Sequence, residues 1–257
     1  MIDDNKPSFE QPRMRGIYLL PNLFTTVGLF AGFYAIVAAM KGMFDIASIA
    51  IYVAMVADSL DGRVARLTGT QSKFGAEYDS LSDMVGFGIA PALVAYSLAL
   101  HHLGKIGWLA AFCYTVATAL RLARFNIQAT GEEEADKRYF QGLPSPAAAG
   151  LLAGLVWVDH IFLLRGSTAN AVIAIMVVLT ALLMVSNINY LSFKDLDLKN
   201  SVPFFAILIV VLVVVAIAMD PPHVLFSAFL VYALSGPIMS IKAFFKGKKN
   251  KHEKHPR

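Results

Sequence analysis

Charged residues are scarce in this sequence of 257 residues, because Asp, Glu, Lys and Arg make up only 16% of it while 57% is hydrophobic. Soluble globular domains carry nearer about 25% charged residues. The scarcity therefore excludes an ordinary soluble core and indicates a polytopic membrane protein.

Cysteine is nearly absent as well, since Cys113 is the single cysteine of the chain. An intrachain disulfide is therefore impossible, and cysteine usage does not indicate a redox compartment. Cys113 lies inside an apolar segment, so we expect a buried thiol. The polar residues before the first apolar segment, and the lack of a small-residue cleavage site after it, predict that no secretory signal peptide is present.

Long stretches without Asp, Glu, Lys or Arg dominate the rest of the chain. A membrane-spanning helix needs roughly 20 mostly apolar residues, which some of these stretches reach only by including charged neighbours. We predict an all-α, polytopic membrane bundle of about eight transmembrane helices. The eight stretches are residues 21–40, 46–57, 84–100, 106–120, 144–158, 169–188, 202–219 and 224–241.

Basic residues are distributed unevenly between the two sides of such a bundle. With a cytoplasmic N-terminus, all of the 22 Lys and Arg residues except Lys41, Lys105 and Arg165 fall on the cytoplasmic side, as the positive-inside rule requires. We therefore predict that both termini are cytoplasmic in a multi-pass protein of the cell membrane. The basic tail is expected to touch anionic lipid headgroups, and no nucleic-acid partner is expected.

The chain is expected to form one membrane domain without an independently folding soluble domain. Residues 1–16 would be a polar cytoplasmic or interfacial lead, residues 17–245 the membrane domain, and residues 246–257 a basic cytoplasmic tail. No internal repeat of the kind found in many transporters is visible.

Four aspartates lie at the ends of two apolar stretches, with Asp58 and Asp61 after the second stretch and Asp79 and Asp83 before the third. A carboxylate in hydrocarbon costs about 2.5 to 3.5 kcal/mol even on lenient scales, so such a cluster indicates a functional site. Each pair would share one helical face, and a turn around residues 67–73 would bring the pairs together. Clustered carboxylates favour Mg²⁺ or Mn²⁺, and two such ions can clamp a phosphoryl group.

Small and basic residues are interleaved with these aspartates. Gly62, Ala65 and Gly75 would let a bulky ligand approach the backbone, although helix packing in membranes also favours small residues. Arg66 could reach a phosphate or extend to the membrane interface. Its position beside four carboxylates and Lys73 favours the phosphate.

Together these residues spell D-x₂-D-G-x₂-A-R-x₈-G-x₃-D-x₃-D from Asp58 to Asp83, which resembles the signature of the CDP-alcohol phosphotransferase family. The resemblance implies a helical membrane enzyme in which an alcohol displaces CMP from a CDP-linked donor. It makes Asp58, Asp61 and Asp79 ligands of two divalent cations, and Asp83 a general base that also touches a metal. It implies that the donor, CDP-diacylglycerol, contacts Pro21, Asn22, Thr25, Gly62, Ala65, Arg66, Ser72 and Gly75.

Two further stretches, RLARFN from Arg121 and FQGLPSPAAAG from Phe140, resemble the phosphatidylserine synthase branch of this family, of the integral-membrane type. An acceptor that carries a carboxylate needs a cation, and arginine can bind a carboxylate with two hydrogen bonds. We therefore predict that L-serine is the acceptor, bound by Arg121, Arg124 and Asn126, with phosphatidylserine and CMP as products. The two arginines could instead be topological anchors.

Two alternative functions stay open at this point. Glycerol 3-phosphate or an inositol phosphate could replace serine, but a phosphorylated acceptor would favour additional basic residues near the site. A cation-coupled transporter would place its carboxylates near the bilayer midplane, often at broken helices, whereas these aspartates lie at span ends. The resemblance also implies a homodimer.

Overall fold

The computed structural model describes residues 19–130, 139–162, 166–191 and 204–253. Over these residues the protein is all-helical except for one short two-stranded sheet, which confirms the predicted fold class. The predicted lead, residues 1–16, lies outside the described residues. The elements in chain order are α1 (Leu19–Met40), α2 (Phe44–Thr68), α3 (Lys73–Asp83), a π-helical turn (Met84–Ile89), α4 (Ala90–Leu98), a 3₁₀ turn (Leu100–Leu103), α5 (Lys105–Thr130), β1 (Tyr139–Gln141), α6 (Ser145–Phe162), α7 (Ser167–Val185), β2 (Asn189–Leu191), α8 (Phe204–Met219) and α9 (Pro221–Glu253).

Five helical segments in the described part of the chain are long and apolar enough to cross a membrane, which is the mark of a multi-pass membrane protein. They are Leu20–Met40, Lys73–Leu98, Lys105–Gln128, Thr168–Val185 and Pro221–Ile241. Helices α6 and α8 contribute the shorter apolar segments Ser145–Asp159 and Leu208–Met219. Helix α2 falls outside the group because its second half carries the charged residues of the motif. The count of eight spans stays a prediction.

Alanine and glycine let the central helices pack closely. Buried alanines line the facing sides of α1 and α2, among them Ala35 and Ala47. Where α1 crosses the π-helical turn, a Cβ added to Gly32 would lie 2.7 Å from the Cα of Gly86. The two backbones are therefore in contact, as small residues at a helix crossing in membranes allow.

The π-helical turn directly follows Asp83 and interrupts an otherwise continuous helix from α3 into α4. Its carbonyl at Phe87 accepts a hydrogen bond of 3.0 Å from the fully buried Tyr114 of α5. Gly88 lies against Thr118, also of α5. π-Helical turns often occur at functional sites, and this one sets where α3 ends relative to α5.

A short sheet ties the connection before α6 to the connection after α7. Strands β1 and β2 pair antiparallel, with Phe140 opposite Tyr190. The Tyr190 hydroxyl donates to the carbonyl of Ala233 in α9 over 3.0 Å. The sheet therefore links α6, α7 and α9 at one end of the bundle.

The expectation of a buried thiol at Cys113 is wrong, because the side chain is exposed. It lies on α5 beside the exposed Leu109, Phe112 and Val116. In a bundle that lies in lipid, an apolar helix can direct its outer face toward acyl chains. An apolar surrounding sequence therefore does not imply that a side chain is inside the protein.

Candidate functional site

A four-residue turn brings the two aspartate pairs together. Helix α2 ends at Thr68 and is capped by Gly69, whose φ of 63° suits glycine and whose N–H donates to the carbonyl of Ala65. Ser72 then caps α3 by accepting a hydrogen bond of 3.0 Å from the N–H of Gly75. The chain reverses where the sequence predicted a turn, so α2 and α3 present their carboxylates to the same space.

Asp58, Asp61 and Asp79 each offer a carboxylate oxygen within 4.8 Å of the others. Asp83 lines the same small cavity, which Gly28 and Gly86 also border. Like charges this close repel each other strongly in a protein interior, and a bound cation removes the repulsion. A donor set of carboxylate oxygens fits a hard divalent cation.

Thr25 of α1 orients one of these carboxylates. Its hydroxyl donates to Asp61 Oδ2 over 2.8 Å and lies 3.1 Å from the carbonyl of Pro21. The Ser82 hydroxyl donates to the carbonyl of Thr25 over 3.1 Å. Hydrogen bonds therefore connect α1 to α2 and to α3 directly beside the cluster, and Thr25 and Asp61 are both buried.

A cavity of about 250 Å³ opens next to the carboxylates, between the start of α1 and the turn from α2 to α3. Asp61 and Asp79 form its wall on the cluster side. All eight residues predicted to contact the donor line this one cavity: Pro21, Asn22, Thr25, Gly62, Ala65, Arg66, Ser72 and Gly75. The structure therefore places the predicted metal ligands and the predicted donor contacts in one continuous site.

The two motif glycines play different parts in this cavity. A Cβ on Gly62 would meet only the guanidinium of Arg66, at 3.6 Å, so the glycine leaves open space for a ligand. A Cβ on Gly75 would lie 3.1 Å from Ser72 Oγ and 3.5 Å from Asn22 Oδ1. Gly75 therefore permits close packing of α1 on the start of α3 as well as lining the cavity.

Arg121 of α5 is a second basic side chain near the cluster, close to Asp83. Its Nη1 donates to Ser145 Oγ over 2.8 Å, and Tyr232 of α9 lies near its guanidinium. Its Nε is buried and has no hydrogen-bond partner in the described part of the chain. Arg121 is thus a cation near the carboxylates whose Nε–H is still able to donate a hydrogen bond.

The other two predicted acceptor residues occupy different surroundings. Arg124 is half-buried, and its Nη1 lies 3.4 Å from Oδ1 of the exposed Asn187. Arg121 and Arg124 line a common cavity of about 520 Å³, separate from the donor cavity. Asn126 Nδ2 donates to Ser80 Oγ over 3.0 Å, which links α5 to the residue after Asp79.

Sequence reasoning missed several residues that belong to this region, including Ser82, which donates to Thr25, and Ala76, which lines the donor cavity. Thr70 and Gln71 line the donor cavity from the turn. Their position between Arg66 and Gly75 of the motif could have indicated them. Ser145 was visible within the stretch FQGLPSPAAAG but was not assigned a contact. No sequence pattern indicates Tyr232 as a site residue, because only the packing of α9 brings it near Arg121.

A protein-family model described as CDP-alcohol phosphatidyltransferase matches residues 18–234. The chain is 38% identical over 219 residues to a CDP-diacylglycerol–serine O-phosphatidyltransferase of Helicobacter pylori, a match that covers 85% of this chain and 90% of the relative. It is 34% identical over 229 residues to the protein of the same name from Methanocaldococcus jannaschii, a match that covers 89% of this chain and 98% of that relative. An archaetidylserine synthase of Methanothermobacter thermautotrophicus is 34% identical over 173 residues, a match that covers 66% of this chain and 69% of that relative.

Proposed function

Because the chain belongs to the CDP-alcohol phosphatidyltransferase family, we propose that it transfers the phosphatidyl group of CDP-diacylglycerol to the hydroxyl of L-serine. The products are phosphatidylserine and CMP. The names of relatives that align over most of the chain support serine as the acceptor. The observation that carries the chemistry is the carboxylate cluster at the wall of a cavity lined by every predicted donor contact.

The donor enters with its diphosphate toward the cluster and its cytidine toward the turn between α2 and α3. Arg66, at the exposed end of α2, supplies positive charge to the phosphates. Two divalent cations, Mg²⁺ or Mn²⁺, held by Asp58, Asp61, Asp79 and Asp83, would neutralise the diphosphate and the charge that develops on the leaving CMP. Thr25 keeps Asp61 in the orientation that this site requires.

The acceptor enters from the side of Arg121. Its hydroxyl oxygen attacks the phosphorus that bears the diacylglycerol, a new P–O bond forms, and the P–O bond to CMP breaks with its electron pair leaving on CMP. Asp83 accepts the hydroxyl proton. Arg121 and Arg124 bind the serine carboxylate, and Asn126 completes the acceptor side through its contact with α3.

The orientation in the membrane, the domain limits and the assembly belong to the same proposal. The distribution of basic residues supports cytoplasmic termini and an active site that opens to the cytoplasm. Residues 1–16 and 246–257 flank the membrane domain as polar segments. A homodimer, in which exposed apolar helix faces pack together, completes the proposal, and chemical cross-linking in native membranes tests it.

One assay tests the activity. Purified protein receives CDP-diacylglycerol and Mg²⁺ or Mn²⁺ together with L-serine, glycerol 3-phosphate or inositol 1-phosphate, and CMP release is followed. We expect release with serine and its loss on chelation of the metal, with recovery when the metal is returned. Folded protein that releases no CMP with any acceptor would refute the enzyme class, and release with a phosphorylated acceptor alone would refute serine.

A further inference from the structure

The hydrogen bond between Arg121 and Ser145 joins two successive helices, α5 and α6. Ser145 opens α6, its side chain is 1% exposed, and its hydroxyl lies 2.8 Å from Arg121 Nη1. The bond is charge-assisted, which makes it stronger than a bond between neutral groups. It therefore fixes one end of the guanidinium.

The backbone before Ser145 is itself held in place. The N–H of Gly142 donates to the carbonyl of Ile188 over 2.8 Å, and the N–H of Leu143 donates to that of Leu183 over 3.0 Å. Gly142 has a φ of 78°, which favours glycine, and Leu143 is fully buried. The Ser145 hydroxyl is thus presented to Arg121 by rigid backbone, without an ordering cost on ligand binding.

The guanidinium that Ser145 holds is not saturated by the protein. Nε has no hydrogen-bond partner among the described residues, and the side chain borders the cavity that Arg124 also lines. Arginine carries five N–H donors in a rigid fork. Engaging Nη1 leaves the remaining donors in a fixed orientation beside Asp83.

We propose that Ser145 is a positioning residue that orients Arg121 toward the carboxylate of the acceptor and so makes the site selective for an amino acid over an alcohol without a carboxylate. The inference rests on the proposed function. Ser145 itself touches neither the donor nor the acceptor. It acts only through Arg121.

The experiment compares Ser145→Ala with Ser48→Ala. Both serines are fully buried, but Ser48 lies on α2 and its hydroxyl has no partner in the described part of the chain. With purified protein, we expect Ser145→Ala to raise the KM for L-serine about tenfold while kcat and the KM for CDP-diacylglycerol change less than about twofold. Ser48→Ala should leave all three constants within about twofold of the wild type.

A second readout uses serinol, in which a hydroxymethyl group replaces the carboxylate of serine. The preference of the enzyme for L-serine over serinol should fall about tenfold in Ser145→Ala, because only the carboxylate depends on Arg121. Ser145→Cys, which keeps the size of the side chain and a weaker acceptor, should give an intermediate KM for serine. This variant decides the question if Ser145→Ala does not fold.

Three results would overturn the inference while leaving the proposed function intact. For Ser145→Ala, these results are an unchanged KM for serine, an equal loss of affinity for serine and for CDP-diacylglycerol, and a fall in kcat alone. Each presupposes that the wild-type protein uses serine. A wild-type protein that releases no CMP with serine would instead overturn the proposed function on which the inference rests.

Discussion

The donor side and the acceptor side of this site are built in opposite ways. The donor cavity is formed by α1 and by one contiguous segment, residues 58–83, that folds back on itself at Gly69. The acceptor side is assembled from α5, α6 and α9, and Arg121, Ser145 and Tyr232 come from these three helices. The proposed donor side thus combines one local motif with a single further helix, whereas the proposed acceptor side is put together from three helices.

The two sides also differ in how their polar groups are satisfied. On the donor side, Asp61 receives a hydrogen bond from Thr25, while neighbouring carboxylates within 4.8 Å leave excess negative charge. On the acceptor side, a guanidinium retains an unsatisfied Nε. The first arrangement suits cations and the second suits an anion, in keeping with the proposed metal-bound diphosphate on one side and the proposed serine carboxylate on the other.

Removing one carboxylate from the cluster should have the largest effect. Asp61→Asn retains an oxygen that accepts from Thr25 but loses the charge that a metal ligand needs, so we expect CMP release to fall by more than about 10³-fold. Asp45→Asn changes a carboxylate in the first turn of the same helix, away from the cluster, and should leave the rate unchanged. Comparable rates for the two variants would contradict a metal site at Asp61.

Replacing Asp83 should affect turnover more than donor binding. We expect Asp83→Asn to lower kcat by about 10² to 10⁴-fold, which is the range for loss of a general base. Binding of CDP-diacylglycerol, measured by competition with a non-reactive CDP analogue, should weaken much less than turnover falls, because Asp58, Asp61 and Asp79 remain to hold the cations. Preserved turnover would remove Asp83 from the role of base.

Two arginine variants should distinguish the donor side from the acceptor side. Arg66→Ala is expected to raise the KM for CDP-diacylglycerol about tenfold and leave the KM for serine unchanged, since Arg66 lines the donor cavity. Arg124→Ala is expected to raise the KM for serine about tenfold and leave donor binding unchanged, since Arg124 lines the other cavity. If either variant moved both constants equally, the division into two sides would be wrong.

The smallest effect is expected from the threonines of α1. Thr25→Val removes the hydroxyl that donates to Asp61 over 2.8 Å and should lower kcat about three- to tenfold, because the orientation of one ligand is relaxed. The adjacent Thr26 is exposed and contacts the hydroxyl of Tyr78 instead. Thr26→Val should therefore retain the wild-type rate within about twofold, and equal losses would show that Thr25 has no particular role.

Local spacing explains why the donor side was predictable. Asp58 and Asp61 are three residues apart and Asp79 and Asp83 four, so helical geometry alone puts each pair on one face. The glycine that ends α2 and the serine that caps α3 are both readable in the intervening segment. The cavity that brings in Pro21, Asn22 and Thr25 required only that α1 pack on the same two helices.

The acceptor side was less predictable because its contacts depend on packing between distant helices. RLARFN suggested Arg121, Arg124 and Asn126 as a group, but their partners are Ser145, Asn187 and Ser80 on three different segments. The exposed position of Cys113 illustrates the same difficulty. Apolar character places a helix in the bilayer, and only its neighbours decide which face meets lipid.

The amino-acid sequence by itself determined a multi-pass helical protein with a carboxylate motif suited to divalent cations and a diphosphate. It could do so because hydrophobic length and helical periodicity act over a few turns of one chain segment. Only the tertiary structure decided that Ser145 meets Arg121, that α9 brings Tyr232 to the same place, and that a π-helical turn follows Asp83. These features depend on how closely glycine and alanine let the helix backbones approach, which is a property of paired surfaces and not of any one segment.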